Sequence, residues 1–205
     1  NNPVDPTQYI LGKDRFTKQS HEIRLSSPQD RAVRVVGGLF YQKQTHDIEQ
    51  NYRIDKIGSS ISVTGWPGTL WLTEQYREDK DSAAFGEIAW DATDKLTITG
   101  GIRAFKAENS LEGFYGFSSG YSSRTGEAAC FAVASVGRAP CTNLRASVEE
   151  TGTTYKLNGS YKFDDDRMVY ATYSTGFRPG GVNRRATLPP YKSDFITNYE
   201  LGWKT

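Results

Sequence analysis

Apolar and polar side chains alternate along most of this chain with a period of two residues. In Tyr155–Phe163, one face carries Leu157 and Tyr161 while the other face carries Lys156 and Asn158. Such alternation is typical of a β-strand that has one apolar and one polar face. No window of the sequence keeps apolar residues at helical spacing for three turns. The pattern therefore predicts an all-β protein.

Seven segments of the sequence carry this strand signal, and most are long enough to cross a bilayer as tilted strands, which takes about 9–11 residues. We predict strands at Phe16–Ser26, Ala32–Thr45, Trp71–Ala92, Leu96–Lys106, Thr153–Phe163, Met168–Arg178 and Phe195–Thr205. Complete bacterial barrels have even strand numbers, so an odd number with an open last strand is expected for part of a larger barrel. The chain also starts with Asn1 and has no signal segment, so both termini are expected to be truncated.

Short and long connections alternate strictly between the predicted strands. The short turns are Ser26–Arg31, Thr93–Lys95 and Asp164–Arg167, and the long connections are Asp47–Leu70, Lys106–Glu150 and Pro179–Asp194. A soluble β-sandwich has the same solvent at both ends and no reason for this alternation. An outer-membrane barrel has short periplasmic turns and long extracellular loops. The connections therefore favour an antiparallel transmembrane β-barrel.

Aromatic residues lie beside the short turns, where they would form a girdle at one membrane interface. They are Trp90, Tyr161, Phe163 and Trp203. The alternative is the general preference of aromatic residues for strands. Charged residues occupy the faces that we predict to point inward, and they are Glu22, Arg24, Glu87, Arg103, Lys156, Lys162 and Glu200. Because both signs are present, these charges are expected to pair with each other or with a plug in the lumen.

Composition excludes two classes of protein. Charged residues make up 24% of the chain, and its longest uncharged apolar stretch, Ala128–Gly137, has ten residues. A membrane-spanning helix needs about 20, so a helical membrane protein is excluded. The net charge is +1 and no basic cluster is present, which makes nucleic acid an improbable partner.

Several stretches of the sequence resemble the TonB-dependent outer-membrane receptors. They are Phe85–Arg103 (FGEIAWDATDKLTITGGIR), Glu22–Ser27 (EIRLSS) followed by Val36–Tyr41 (VGGLFY), and Val169–Asn183 (VYATYSTGFRPGGVN) followed by Asn198–Thr205 (NYELGWKT). The resemblance covers nearly the whole chain from about Phe16 onward, and the stretches come in the order expected for the family.

The resemblance implies that residues 1–205 form part of a receptor barrel with about 22 strands and a plugged lumen. Such receptors lie in the bacterial outer membrane and import a scarce nutrient, most often a ferric siderophore, by transport coupled to TonB. The implied partners are outer-membrane lipid and lipopolysaccharide, the iron–siderophore complex, and TonB through an N-terminal region. That region and the plug domain are expected to be absent from this chain, and no cofactor is expected.

Two other functions stay open at this point. One is a passive porin or a structural outer-membrane barrel, which an upstream plug domain in the full gene would exclude. The other is a soluble extracellular β-sandwich that binds sugars or surfaces. An enzyme is not expected, because no base, nucleophile or metal ligands converge in the sequence. The G-x-S-x-G match at Gly116–Gly120 lacks the following helix and the downstream histidine that a hydrolase needs.

Candidate ligand-binding residues follow the sixth predicted strand. Pro179 cannot donate to a strand ladder and Gly180 and Gly181 permit left-handed backbone angles, so this segment should end the strand at the outer rim. Loops on a rigid scaffold often carry binding. The candidates in this segment are Arg178, Asn183, Arg184 and Arg185, which would meet an anionic ligand, and Arg103 on the inward face of the fourth predicted strand is a further ligand-facing candidate. The alternative is a solvated or lipopolysaccharide-facing basic rim.

Cys130 and Cys141 are the only cysteines, and both lie in the longest predicted connection. In an oxidising compartment such a pair is predicted to form a disulfide, and the alternative is two free thiols. No histidine or further cysteine lies nearby, so a zinc site is not supported. Asp164–Asp166 lacks the ligand spacing of a calcium loop and is predicted to be a solvated turn.

Overall fold

The computed structural model describes residues 7–117 and 128–205. These residues form seven strands, which are β1 (Gln8–Ser26), β2 (Val33–Ile54), β3 (Thr69–Asp91), β4 (Leu96–Phe117), β5 (Leu144–Lys162), β6 (Met168–Arg178) and β7 (Asp194–Lys204). All neighbouring strands pair antiparallel in chain order within one sheet. The sheet is open, since β1 and β7 are its two edges. The prediction of an all-β fold with seven strands in this order is confirmed.

Among the described residues, no helix has the length and apolar character needed to cross a membrane.

Four strands extend further toward the long connections than the sequence predicts. The structure starts β1 at Gln8 and β5 at Leu144, and it ends β2 at Ile54 and β4 at Phe117. The predicted connections Asp47–Leu70 and Lys106–Glu150 were therefore too long, whereas the third, Pro179–Asp194, agrees with the gap between β6 and β7. Beyond the apolar part of each strand both faces carry polar residues, so the strand continues without the alternation that revealed it.

One face of the sheet carries exposed apolar side chains over most of its width, and we call this set the apolar belt. Cross-strand register places Leu39 opposite Ile23 and Tyr199 opposite Tyr173 on this face. The belt consists of Ile23, Leu25, Val33, Val35, Leu39, Ile88, Trp90, Ile102, Tyr155, Leu157, Tyr161, Tyr173, Tyr199, Leu201 and Trp203, all of them exposed. A continuous apolar surface of this size is not stable in water and marks a contact with lipid or protein.

The belt ends at a border of charged residues on the same face. Lys43 lies opposite Lys80, and Lys106 lies opposite Ser82. The ammonium of Lys43 is 2.6 Å from a carboxylate oxygen of Glu78. Along β4, the apolar side of the border covers Leu96–Ala104, about 27 Å of strand at ~3.4 Å per residue. This length is on the scale of the apolar band of an outer-membrane barrel, which is about 25 Å tall.

The opposite face of the sheet, which we call the lumen face, is polar and internally paired. The ammonium of Lys156 lies 3.0 Å from Glu87, and a guanidinium nitrogen of Arg103 lies 3.4 Å from Asp81. The phenol of Tyr170 donates to Glu200 at 2.6 Å. Lys156, Arg103 and Glu200 therefore have partners on other strands, whereas Glu22 and Arg24 pair with each other on β1.

The short turns and their aromatic residues lie at one end of the sheet. In the turn after β5, Asp164 accepts hydrogen bonds from the backbone of Arg167 at 2.9 Å and from its guanidinium. This arginine holds the pKa of the Asp164 carboxyl below its usual range. Phe163 contacts both Tyr161 and Trp203, with ring centroids 5.1 and 5.6 Å apart. These rings form a compact part of the predicted girdle.

Candidate functional site

The connection between β6 and β7, residues 179–193, folds across the lumen face rather than away from it. It leaves β6 through Arg178, Pro179 and Gly180, and Gly181 then exchanges two backbone hydrogen bonds with Tyr191, at 3.1 and 2.9 Å. A Cβ atom on Gly180 would lie 2.6 Å from the backbone carbonyl oxygen of Tyr191, so glycine is needed where the two arms of the connection meet. The sequence therefore builds a narrow hairpin that lies flat against the wall.

A buried contact fixes this hairpin to β4 and β5. The backbone N–H of Val182 donates to Oδ1 of Asn109 at 2.7 Å. The Val182 side chain packs with Leu111 and Leu144 in a buried apolar cluster. A buried polar group without a partner costs about 1–3 kcal/mol, so the Asn109 amide and the apolar cluster hold the connection together.

Further hydrogen bonds extend the contact from β5 to β2. Gln75 is fully buried and donates to the backbone carbonyl of Arg184 at 3.1 Å. The guanidinium of Arg184 donates to Oε1 of Gln50 at 3.3 Å. At the other side, Glu150 accepts from the backbone N–H of Gly180 at 3.4 Å and from the hydroxyl of Ser193. The connection thus crosses the lumen face over four strands.

A cavity of about 770 Å³ lies between the lumen face and this connection, on the side of the short turns. Its wall includes a hydrogen-bonded group in which Arg77 contacts Asp79 through two nitrogens, at 2.8 and 3.0 Å. The amide of Asn109 donates to the same carboxylate at 2.7 Å. Phe177 and Tyr191 supply aromatic surface to the cavity. Ligand sites commonly have about 300–1,000 Å³ and combine apolar walls with a few fixed polar groups.

Aromatic side chains lie on the lumen face at the ends of β2, β3 and β4 that meet the long connections. They are Tyr52, Trp71, Tyr115 and Phe117, and we call them the mouth aromatics. Trp71 lies opposite both Tyr52 and Phe117 in the sheet. Its ring is perpendicular to the rings of Tyr115 and Phe117, with centroids 4.6 Å apart in each case. The sequence pattern did not reveal this cluster, because three of the four residues lie in segments predicted to be long connections.

The structure does not bring the five candidate ligand residues into one constellation. Arg103 lies lower on the lumen face, beside Asp81 and over the ring of Phe40 at 5.0 Å. Arg178 pairs with Asp194 at the ends of β6 and β7.

The other three candidates lie in the β6–β7 connection. The side-chain amide of Asn183 donates to the carbonyl of Pro189. The carbonyl of Arg185 accepts from the N–H of Leu188 at 3.0 Å. The guanidinium of Arg184 donates to Gln50 on β2.

A second apolar cluster joins the other two long connections on the opposite face of the sheet. Val63 and Trp66 from the β2–β3 connection pack with Leu72 and Phe114 of the strands, and with Ala139 and Cys141 from the β4–β5 connection. The indole of Trp66 donates to the carbonyl of Arg138 at 3.0 Å. Cys130 and Cys141 are bonded as a disulfide with Cα atoms 5.8 Å apart.

Glu74 supports the β4–β5 connection from β3, well beyond the apolar belt. One of its carboxylate oxygens accepts from the backbone N–H of Arg138 at 2.8 Å, while the other is buried without a hydrogen-bond partner among the described atoms. Burial raises the pKa of this carboxyl, and the bond from Arg138 opposes that rise in part. Gly137 is required beside it, because a Cβ atom there would lie 1.8 Å from Glu74.

The G-x-S-x-G match and possible metal ligands are the two enzyme-like features to locate in the structure. Ser118, Ser119 and Gly120 of the G-x-S-x-G match lie outside the described residues. Within residues 7–117 and 128–205, no group of three or more histidine, cysteine, aspartate or glutamate side chains could hold a metal ion.

Comparison with known proteins identifies one family and a small set of relatives. Residues 2–205 match the family model described as TonB dependent receptor-like, beta-barrel. The Pesticin receptors of Yersinia enterocolitica and Yersinia pestis are 24% identical over 193 residues, which is 92% of this chain and 24% of theirs. The chain therefore spans about a quarter of the length of these relatives.

A solved structure shares the fold. The ferric yersiniabactin uptake receptor FyuA from Yersinia pestis superposes with a TM-score of 0.72 and 20% sequence identity. The match covers 97% of this chain and 27% of that receptor.

Proposed function

Because this chain belongs to the TonB-dependent receptor β-barrel family, we propose that it forms part of an outer-membrane receptor that takes up a ferric siderophore. In this proposal the apolar belt faces the lipid of a bacterial outer membrane. The lumen face lines the transport path, and uptake is energised by TonB. The family is one of outer-membrane receptors and transporters, not of enzymes.

The observation that carries the proposal is the β6–β7 connection held against the lumen face over a cavity with aromatic and polar walls. Val182 is anchored to Asn109, Gln75 bonds the connection at Arg184, and Glu150 bonds its two ends. The connection places fixed polar and aromatic groups around a cavity of ligand size. Selective capture of a ligand at the outer side needs such structure, because binding groups must be held in place before the ligand arrives.

The relatives support iron as the nutrient. Proteins described as a Pesticin receptor and as a ferric yersiniabactin uptake receptor resemble this chain along most of its length. These names describe the two relatives alone, and the relatives are 24% and 20% identical to this chain. For this chain a ferric siderophore is therefore a proposal about the cargo.

Growth and uptake under nutrient limitation test the proposal. A strain that lacks the full-length gene should grow poorly when iron is supplied only as the cognate chelate, and the gene supplied in trans should restore growth. Uptake of radioactive iron by the restored strain should stop when TonB is deleted. Limitation for cobalamin or a carbohydrate should leave the deletion strain unaffected.

Two results would contradict the proposal. If no ferric chelate in a broad panel is taken up in a gene-dependent manner, the receptor does not import iron. If uptake continues at the same rate without TonB, the barrel is a passive pore.

A further inference from the structure

The strand ladder between β5 and β6 stops partway along the wall. β5 pairs with β4 along Leu144–Tyr161, whereas it pairs with β6 only along Lys156–Lys162. The last rung toward the long connections joins Lys156 and Ser174. The next backbone N–H of β5 that points to β6, that of Tyr155, donates instead to the hydroxyl of Thr175 at 2.8 Å. In the described chain, the edge of β5 beyond Tyr155 therefore has no strand paired with it on the β6 side.

β6 leaves this edge because its end turns toward the lumen. Tyr173 is exposed on the apolar belt, and strict alternation would place Phe177 on the same face. Phe177 instead lines the cavity on the lumen face and stacks on Phe105, with ring centroids 3.5 Å apart. Gly152 lies opposite Phe105, and a Cβ atom on Gly152 would lie 2.6 Å from that ring. Glycine at this position leaves room for the stacked rings.

Side-chain contacts hold the end of β6 and its connection in this position. One carboxylate oxygen of Glu150 accepts from the backbone N–H of Gly180 at 3.4 Å, and the other accepts from the hydroxyl of Ser193. Releasing these bonds and the ring stack breaks no rung of a strand ladder. A segment that is held in this way can move while the rest of the sheet stays folded.

We propose that β6 has a second position, in which its end continues the ladder with β5. Three more rungs beyond Lys156 and Ser174 would place Phe177 opposite Thr153. Phe177 would then join the apolar belt, and the backbone groups of Thr153 would gain partners on β6. Phe105 would lose its stacked ring, and Glu150 would lose its bonds to the connection. These gains and losses offset each other, as a two-position element requires.

The second position opens the cavity. Pro179 follows β6 directly, so the connection moves together with the end of the strand. Phe177, Pro179 and Gly180 form part of the cavity wall, and this part leaves the lumen face when β6 pairs with β5. The device goes beyond the proposed uptake function and does not depend on the identity of the cargo. Under that function, the movement would open the cavity to the outside of the cell.

Cysteine cross-linking of the full-length receptor in isolated outer membranes detects the second position. In the observed position Thr153 lies on the face of the apolar belt, whereas Phe177 lies on the lumen side. A disulfide needs Cα atoms within about 7 Å and side chains that point toward each other. Mild oxidation of the Thr153→Cys/Phe177→Cys receptor should therefore join these two positions only when β6 has moved. Peptide mass mapping separates this cross-link from the native Cys130–Cys141 disulfide.

Two substitutions should shift β6 toward the second position. Phe105→Ala removes the stacked ring, and Glu150→Ala removes the bonds to the connection. Each should raise the cross-linked fraction at a fixed oxidation time by at least about threefold, because each weakens the observed position alone. Glu200→Ala is the matched control, since this carboxylate bonds Tyr170 and not the connection. It should leave the fraction unchanged.

A second cysteine pair reports whether the ladder is intact. The side chains of Asn158 and Thr172 are hydrogen-bonded at 2.7 Å in the paired part of β5 and β6. Asn158→Cys/Thr172→Cys should therefore cross-link equally in the Phe105→Ala, Glu150→Ala and unaltered backgrounds.

Two results would overturn the inference. One is the absence of the Thr153→Cys/Phe177→Cys cross-link under conditions in which the Asn158→Cys/Thr172→Cys cross-link forms. The other is a cross-linked fraction that neither Phe105→Ala nor Glu150→Ala raises. Cross-linking needs no transport, so a receptor that shows the second position and imports no ferric chelate would refute the proposed uptake function and leave this inference intact.

Discussion

The backbone N–H of Val182 donates a hydrogen bond of 2.7 Å to the side chain of Asn109, a residue 73 positions earlier in the chain. Both groups are buried, and the same asparagine donates to Asp79 at 2.7 Å. The side-chain amide of Asn109 therefore bonds both a neighbouring strand, through Asp79, and the β6–β7 connection, through Val182. The position of the β6–β7 connection therefore depends on this residue.

Asn109→Ala should release the β6–β7 connection from the lumen face. The buried N–H of Val182 would lose its acceptor, at a cost of about 1–3 kcal/mol. Trypsin should then cleave the full-length receptor after Arg184, Arg185 or Lys192 faster than in the wild type, as followed by mass spectrometry. Asn158→Ala is the control, because Asn158 bonds Thr172 on the wall and not the connection. Equal cleavage rates in the two variants would show that Asn109 does not hold the connection.

A positive charge inside the apolar belt should destabilise the barrel far more than one beyond its border. Leu157→Arg should lower the free energy of unfolding by about 2–4 kcal/mol, whereas Thr151→Arg should change it by about 0–1 kcal/mol. Both positions lie on the same face of β5, and Thr151 is opposite Lys106. The free energies of unfolding of both variants are measured on the full-length barrel in lipid vesicles. Similar losses at the two positions would contradict the assignment of the border.

Quenchers that are confined to lipid chains should reach one face of the sheet only. Fluorescent labels at Leu157, Tyr161 and Leu201 should be quenched, and labels at Lys156 and Asn158 should not. The physical reason is that successive side chains of a strand point to opposite faces. Stronger quenching at Lys156 and Asn158 than at Leu157, Tyr161 and Leu201 would contradict the assignment of a membrane barrel.

The Cys130–Cys141 disulfide should be present in protein exported from the cell. Closing a connection of this size would stabilise it by about 3 kcal/mol in the chain-entropy model. A non-reduced digest should contain one cross-linked peptide with both cysteines, and reduction should split it. Recovery of two free thiols from protein that was never reduced would refute the prediction.

Glu74 should make the β4–β5 connection more stable as the pH falls. Burial raises the pKa of this carboxyl in the folded state, so folding favours its protonated form, and stability declines as pH rises through the folded-state pKa. Hydrogen-exchange protection around Arg138, corrected for the intrinsic rate, should therefore increase toward acidic pH.

A glutamine at this position separates charge from hydrogen bonding. Glu74→Gln keeps an acceptor for the N–H of Arg138 and should remove the pH dependence. Glu74→Ala removes the acceptor and should reduce protection at every pH. Protection that does not vary with pH in the wild type would exclude Glu74 as the titrating group.

The sequence predicts the membrane part of this fold well, because there each residue has one of two environments. Leu157 and Lys156 alternate since one meets the apolar side and the other the lumen, and the strand follows directly from that pattern. Beyond the border Lys80 and Glu78 share a face with the belt, so both sides of the strand are polar. The pattern vanishes there although the strand continues, which is why the ends of β2 and β4 were placed too early.

The candidate site was harder to predict, because it depends on contacts between distant segments. The residue types at Pro179–Gly181 are enough to predict that the strand ends there. The neighbouring sequence gives no signal that Val182 bonds Asn109. Tyr115 and Trp71 are far apart in sequence and come together only through the register of β3 and β4. Arg184 was predicted as a candidate from its charge, whereas its partner Gln50 is known only from the fold.

The charged border has a consequence for where cargo first meets the protein. Trp71 lies nine residues beyond Lys80 on β3, or about 30 Å along the strand at ~3.3 Å per residue. With the apolar belt in the bilayer, as proposed, the lysines of the border keep the parts of the strands beyond Lys80 outside the hydrocarbon. Under the proposed uptake function, a ligand that approaches from outside would therefore meet the ends of these strands before it reaches the level of the lipid.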